Sequence, residues 1–160
     1  MDPDDGLRDL LSRLLDWEDA HVRFDAVVDG IPPESRGLQP DGSPHSPWQL
    51  LEHLHICQSD ILEFCRNPGY LELKFEDYWP PTVAPPTAGS WDESVAAFRR
   101  DRDALKALAS DSSVDLFAAI PHGSGQTYAR ELVLVVDHNA YHLGQLVLLR
   151  RFLGVWPQAE

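Results

Sequence analysis

The sequence predicts an all-α fold, a four-helix bundle. Four stretches repeat apolar residues at helical spacing. Each is bounded by capping residues, prolines or glycines. No convincing sheet pattern competes with them, and no internal repeat is visible. The 160 residues fit one domain, spanning 1–160, with enough chain to bury a sizeable core.

The first helix is expected over about Leu7 to Val28, on Leu7, Leu10, Leu11, Leu14, Trp17, Phe24 and Val28. Gly30 and Pro32-Pro33 stop it, and residues 31–46 read as a loop rich in Pro, Gly and Ser. The second start is clear. Ser46 can cap, Pro47 suits the first helical position and Gln49 completes a capping box. That helix should run to about Arg66, before Asn67-Pro68-Gly69. Residues 70–89 hold four prolines and form a long crossover, with a short strand or helical turn near Leu71–Phe75. Ser90-Trp91-Asp92-Glu93 reads as a second capping box, opening a helix to about Ser110 with Val95, Phe98, Leu105 and Leu108 inward. Thr127 can cap the last helix, about Tyr128 to Leu153, with Gly154 and Pro157 as stops. The tail from Val155 to Glu160 is expected to be loose.

Composition narrows function by exclusion. Thirteen Lys and Arg against 26 Asp and Glu give a net charge of −13. Such a surface repels phosphate, so neither nucleic acid nor an anionic membrane is an expected partner. The acidic start does not resemble a secretory leader. Charged and polar residues interrupt Leu132–Leu153, the longest apolar stretch, so no membrane span is expected. Cys57 and Cys65 lie two helical turns apart, roughly 12 Å, too far to pair with each other. A reducing, cytoplasmic setting follows.

The chemistry concentrates in Asp137-His138-Asn139-Ala140-Tyr141-His142. Residues four apart share a helix face. Here that face also carries Val135, Leu146, Leu149 and Leu153, so both histidines should point into the core. Buried neutral imidazoles need partners for a donor and an acceptor, and one shared divalent ion supplies them. A third ligand must come from another helix. His53 shares its side with Leu50, Leu54, Cys57, Ile61 and Phe64, whereas His55 lies about 200° round the axis. His53, His138 and His142 are therefore the expected ligands. Three histidines suit Zn(II), Ni(II), Co(II), Cu(II) or Fe(II) and leave coordination open for water or substrate. Asn139 stands where a His-Glu-x-x-His protease carries its base. Cys57 could face the site, but a buried free cysteine is more often a small hydrophobe. His21 could line the pocket. His45 and His122 sit in loops and read as surface or turn residues, and Trp48, Trp79, Trp91 and Tyr128 as packing.

Two segments, Ser46-Pro47-Trp48-Gln49-Leu50-Leu51-Glu52-His53-Leu54 and Asp137-His138-Asn139-Ala140-Tyr141-His142-Leu143-Gly144-Gln145, resemble the DinB/YfiT-like superfamily. Ile120-Pro121-His122-Gly123 and Leu149-Arg150-Arg151-Phe152-Leu153-Gly154 extend the similarity over about residues 7–156. The resemblance implies up-down-down-up topology, with a long connection joining the parallel pair. It implies a three-histidine metal site, mapped to His53, His138 and His142 and filled by Zn or Ni. It further implies a homodimer, and a metal-dependent S-transferase or isomerase acting on small molecules with a low-molecular-weight thiol. No thiol-cofactor motif is identifiable. A metal-dependent hydrolase and a non-catalytic metal-binding stress protein are the rival readings.

Overall fold

A computed structural model describes residues 3–16 and 20–157. Its helices are α1 (Pro3–Leu14), α2 (Phe24–Val28), α3 (Pro47–Arg66), α4 (Ser90–Ser110) and α5 (Tyr128–Phe152). Single 3-10 turns occupy Pro33–Ser35 and Phe75–Tyr78. Among the described residues there is no strand, only an isolated bridge between Ala119 and Thr127. α3 packs on both α4 and α5, and α1 packs chiefly on α4.

The start of α3 forms as its sequence dictates. The Ser46 hydroxyl accepts the Gln49 amide at 3.1 Å, and Gln49 Oε1 accepts the Ser46 amide at 3.1 Å, so two otherwise orphaned donors are satisfied. α5 likewise starts at the Thr127 hydroxyl, which accepts the Arg130 amide, and stops before Gly154, whose φ of +70° only glycine adopts without strain.

Elsewhere the structure departs from expectation. The expected first helix, 7–28, is two helices. Residues 20–23 lie outside any helix, and Val22 there is exposed rather than packed on the core. Trp17 lies outside the described residues. The capping box at Ser90 does not form. Gly89 takes the cap position, and Ser90 Oγ instead accepts the Thr87 amide at 3.2 Å. Leu108 is half-buried, and Ala109 fills the inward position. The turn in the crossover falls slightly later than expected, at Phe75–Tyr78. The tail is held as far as Trp156: the Val155 amide donates to the Arg150 carbonyl at 2.9 Å, and the Arg150 guanidinium lies over the Trp156 ring. Among the described residues, α5 is the one helix long and apolar enough to cross a membrane by length and composition. In the bundle its Leu132, Val135, Leu143, Leu146 and Leu149 are buried against the other helices.

The core has two apolar clusters. One gathers Phe24, Val27, Trp48, Leu51, Phe98 and Leu146. The other gathers Leu11, Leu62, Leu105, Leu116 and Leu132. A polar tie joins three helices: Asn139 Nδ2 donates to Gln58 Oε1 at 3.0 Å, and Gln58 Nε2 donates to the Phe98 carbonyl at 2.8 Å.

Two buried arginines finish helices that lack good C-caps. Arg8 donates to the carbonyls of Asp111 at 2.8 Å and Val114 at 2.7 Å, past the end of α4. Arg150, 1% exposed, donates to Ala26 at 3.1 Å and Val27 at 2.7 Å, in the last turn of α2. Arg150→Met strands these carbonyls, each worth about 1–3 kcal/mol when left unpaired in the interior. Urea unfolding should show a loss of at least about 2 kcal/mol, against about 0.5 kcal/mol or less for Arg151→Gln, an exposed neighbour. Equal small losses would remove Arg150 from this role.

Candidate metal centre

α3 supplies His53, and α5 supplies His138 and His142 one turn apart. The structure brings the three together. His53 Nε2 lies 3.2 Å from His142 Nε2 and 3.1 Å from His138 Nε2. His53 and His142 are buried, and His138 is half-buried.

The outer bonds decide what these nitrogens offer. His53 Nδ1 donates to the Tyr78 carbonyl at 2.7 Å, and His142 Nδ1 faces Gln145 Oε1 at 2.8 Å. With Nδ1 carrying the proton in both rings, both Nε2 atoms present lone pairs to one another. Neither can donate. Burial, more than any other influence, pushes His53 and His138 down to about 4 and lowers His142 as well, so an imidazolium is not available at neutral pH to bridge them. A cation satisfies this donor set, and the second bond of each ring is the usual way a metal-binding histidine is oriented.

Cys57 belongs to the same cluster. Its Sγ lies 3.5 Å from His53 Nδ1 and 3.7 Å from Nε2. Donor atoms of His53, Cys57 and His138 all lie within 4.8 Å of one another, a group that could hold a metal ion. With no metal, burial followed by the nearby Asp60 carboxylate pushes the Cys57 thiol up to about 12.

A cleft of about 540 Å³ opens from this cluster, bordered by Cys57 and His138 and walled by Phe64, Tyr70, Tyr78 and the turn at His122–Ser124. The Asp60 carboxylate lies in its wall and accepts hydroxyls from Tyr70 and Tyr78, each at 2.9 Å. Both phenols are pushed up, chiefly by burial and then by Asp60, Tyr78 to about 12.

The other histidines separate. His55 faces α4, with Nδ1 3.5 Å from Glu52 and Nε2 3.9 Å from Asp101. His21 is exposed, away from the three histidines, and its Nδ1 lies 2.9 Å from the Val22 carbonyl beside it. His122 Nε2 lies 2.7 Å from the Phe64 carbonyl, in the cleft wall. His45 lies half-buried in its loop. Its ring stacks on Trp79 at 3.8 Å, and Trp79 stacks on His53 at 3.8 Å and 2°. Trp79 packs against the core cluster, as its sequence reading expects, and in addition covers a candidate ligand. The second role carries no sequence signal, because it depends on where the crossover docks.

A family model described as the DinB superfamily matches residues 16–146. The chain belongs to the DinB superfamily. All three histidines lie inside the matched segment of this DinB protein. No curated protein and no solved structure gives a significant match.

The lowered imidazoles set a pH dependence. Unfolded histidine titrates near 6.5, whereas folded His53 and His138 stay neutral down to about 4. Between those values the unfolded chain binds more protons, so stability is lost as pH falls through that window. The metal-free DinB protein should lose thermal stability more steeply from pH 7 to 4.5 than a His53→Gln/His138→Gln variant. Parallel curves would contradict the assigned protonation states.

Proposed function

We propose that this DinB protein holds one divalent metal ion, Zn or Ni, on His53, His138 and His142, and works as a metal-dependent transferase that uses a low-molecular-weight thiol. The observation that carries the metal is the convergence of unprotonated Nε2 atoms, 3.2 Å apart between His53 and His142. A divalent ion there supplies Lewis acidity, which lowers the pKa of a thiol so that it is nucleophilic at neutral pH.

The chain's own groups do the rest. The Tyr78 carbonyl and Gln145 orient two of the imidazoles. Trp79 stacks over His53 and keeps water from that side of the ring. The cleft beside Cys57 and His138 has room for a small molecule, which favours an enzyme over a sealed metal store. Against a hydrolase, two of the carboxylates lining the cleft are engaged: Asp60 has both oxygens taken by tyrosine hydroxyls, and Glu131 is paired with Arg130. An up-down-down-up order of α1, α3, α4 and α5, a homodimer and a cytoplasmic setting complete the reading. Small molecules, not nucleic acid or membranes, are its partners, in keeping with the charge of −13.

Protein purified without a nickel column should contain about one divalent ion per chain by elemental analysis. His138→Ala and His142→Ala should each abolish stoichiometric binding while the far-ultraviolet circular dichroism stays helical. If both variants still bind one-to-one after chelation and reloading, the ligand set is wrong. Metal-loaded protein should turn over at least one pair from a panel of small thiols and electrophiles, and uniform inactivity would exclude the transferase.

A further inference from the structure

We propose that residues 71–75 of the crossover pair with the same residues of a second copy, forming an antiparallel β-ribbon about a dyad at Leu73. This rests on the reading of a homodimer and names its interface.

The segment is an open edge. Neither helix nor turn occupies residues 71–74, and Lys74 has extended backbone, with φ −73° and ψ 153°. Main-chain bonds close only its two ends: the Tyr70 amide donates to the Asn67 carbonyl and the Asp77 amide to the Lys74 carbonyl, both at 2.9 Å. Among the described residues no backbone partner takes an amide or carbonyl of Leu71, Glu72 or Leu73. Side chains alternate as in a strand. Leu71 and Leu73 border a groove over His55, Ile56 and Glu63, whereas Glu72 borders the cleft beside the histidines. Leu71 is 86% exposed and Phe75 85%. An unpaired edge with large apolar side chains is a template for another strand.

Residue order decides which strand. Leu71-Glu72-Leu73-Lys74-Phe75 is complementary to itself when reversed. Antiparallel pairing about Leu73 sets Leu71 opposite Phe75, Glu72 opposite Lys74 and Leu73 opposite Leu73. Apolar side chains then meet on one face, over the groove. On the other face each Glu72 meets Lys74 of the partner subunit. Apolar pairs and opposite charges directly across a ladder each favour the pairing. A slip of one residue sets apolar side chains against Glu or Lys and forfeits both gains. Every unlike pair occurs twice, as a two-fold interface requires. Two chains of charge −13 repel one another, so contact between copies needs a locally matched patch of this kind.

The ribbon has a consequence for the site. It carries Lys74 of the partner subunit to Glu72, on the rim of the metal cleft, so each cleft is completed by the other copy. Five residues a side make a small interface, and the expected dissociation constant is on the order of 1–100 µM.

The test is sedimentation of the full-length protein from about 1 to about 500 µM, a range set around that constant. We expect a reversible equilibrium between the 18.0 kDa chain and twice that mass. Glu72→Lys and Lys74→Glu should each weaken dimerisation by about tenfold or more, because like charges then oppose each other twice. The double exchange Glu72→Lys/Lys74→Glu should restore it, which separates lost pairing from a folding defect. Leu73→Lys places two ammonium groups on the dyad and should leave monomer throughout. Phe117→Lys, at an exposed apolar position elsewhere, should change nothing. A dimer that survives Leu73→Lys and ignores both single exchanges would overturn the ribbon and leave the homodimer standing. Wild-type monomer at every concentration would overturn both. Neither result touches the histidine centre, which elemental analysis reports on separately.

Discussion

The site depends on one constraint: two buried nitrogens that cannot hydrogen-bond to each other are held in contact. His53 and His142 each spend their ring proton outward, on the Tyr78 carbonyl and on Gln145. Their lone pairs are left 3.2 Å apart in surroundings where burial disfavours protonation. Holding that arrangement requires rigid helices on both sides. The tie from Asn139 through Gln58 to the Phe98 carbonyl supplies it, linking α5, α3 and α4 at the level of the histidines. Asn139 is the residue that stands in place of a protease's base. Here an amide fits because its task is to cross-link helices in the interior, where a carboxylate would bring a charge with no partner.

Regular structure was legible because local chemistry decides it. Ser46, Pro47 and Gln49 state where α3 begins, and Thr127 and Gly154 bracket α5 to within a residue. His53 could be chosen over His55 because helical phase alone separates them, and the structure turns His55 toward Glu52 and Asp101. The failures came where local signals are ambiguous. The spacing of Leu7 to Val28 says nothing about an interruption when apolar residues on either side stay in phase. Ser90 has the composition of a cap, but a neighbouring threonine competes for its hydroxyl.

The cover of the site was invisible for a different reason. His45 and Trp79 reach His53 from segments without periodicity, and such contacts depend on tertiary placement alone. The loops themselves meet closely. A Cβ added at Gly37 would stand 2.5 Å from the Cβ of Ala84, the Ser46 hydroxyl donates to the Val83 carbonyl, and Trp48 Nε1 donates to Thr82 at 3.2 Å. Residues 82–84 thereby dock on the entrance to α3, which holds the nearby Trp79 against His53.

The bond from His53 to residue 78 ends on a main-chain oxygen. Every amino acid carries that oxygen, so no substitution at position 78 deletes the acceptor itself; only a shift of the backbone can remove it. The crossover can therefore diversify its outward-facing side chains, Phe75 among them, while the imidazole keeps its orientation. Changes to the outward face of the crossover thus leave the orientation of the imidazole untouched.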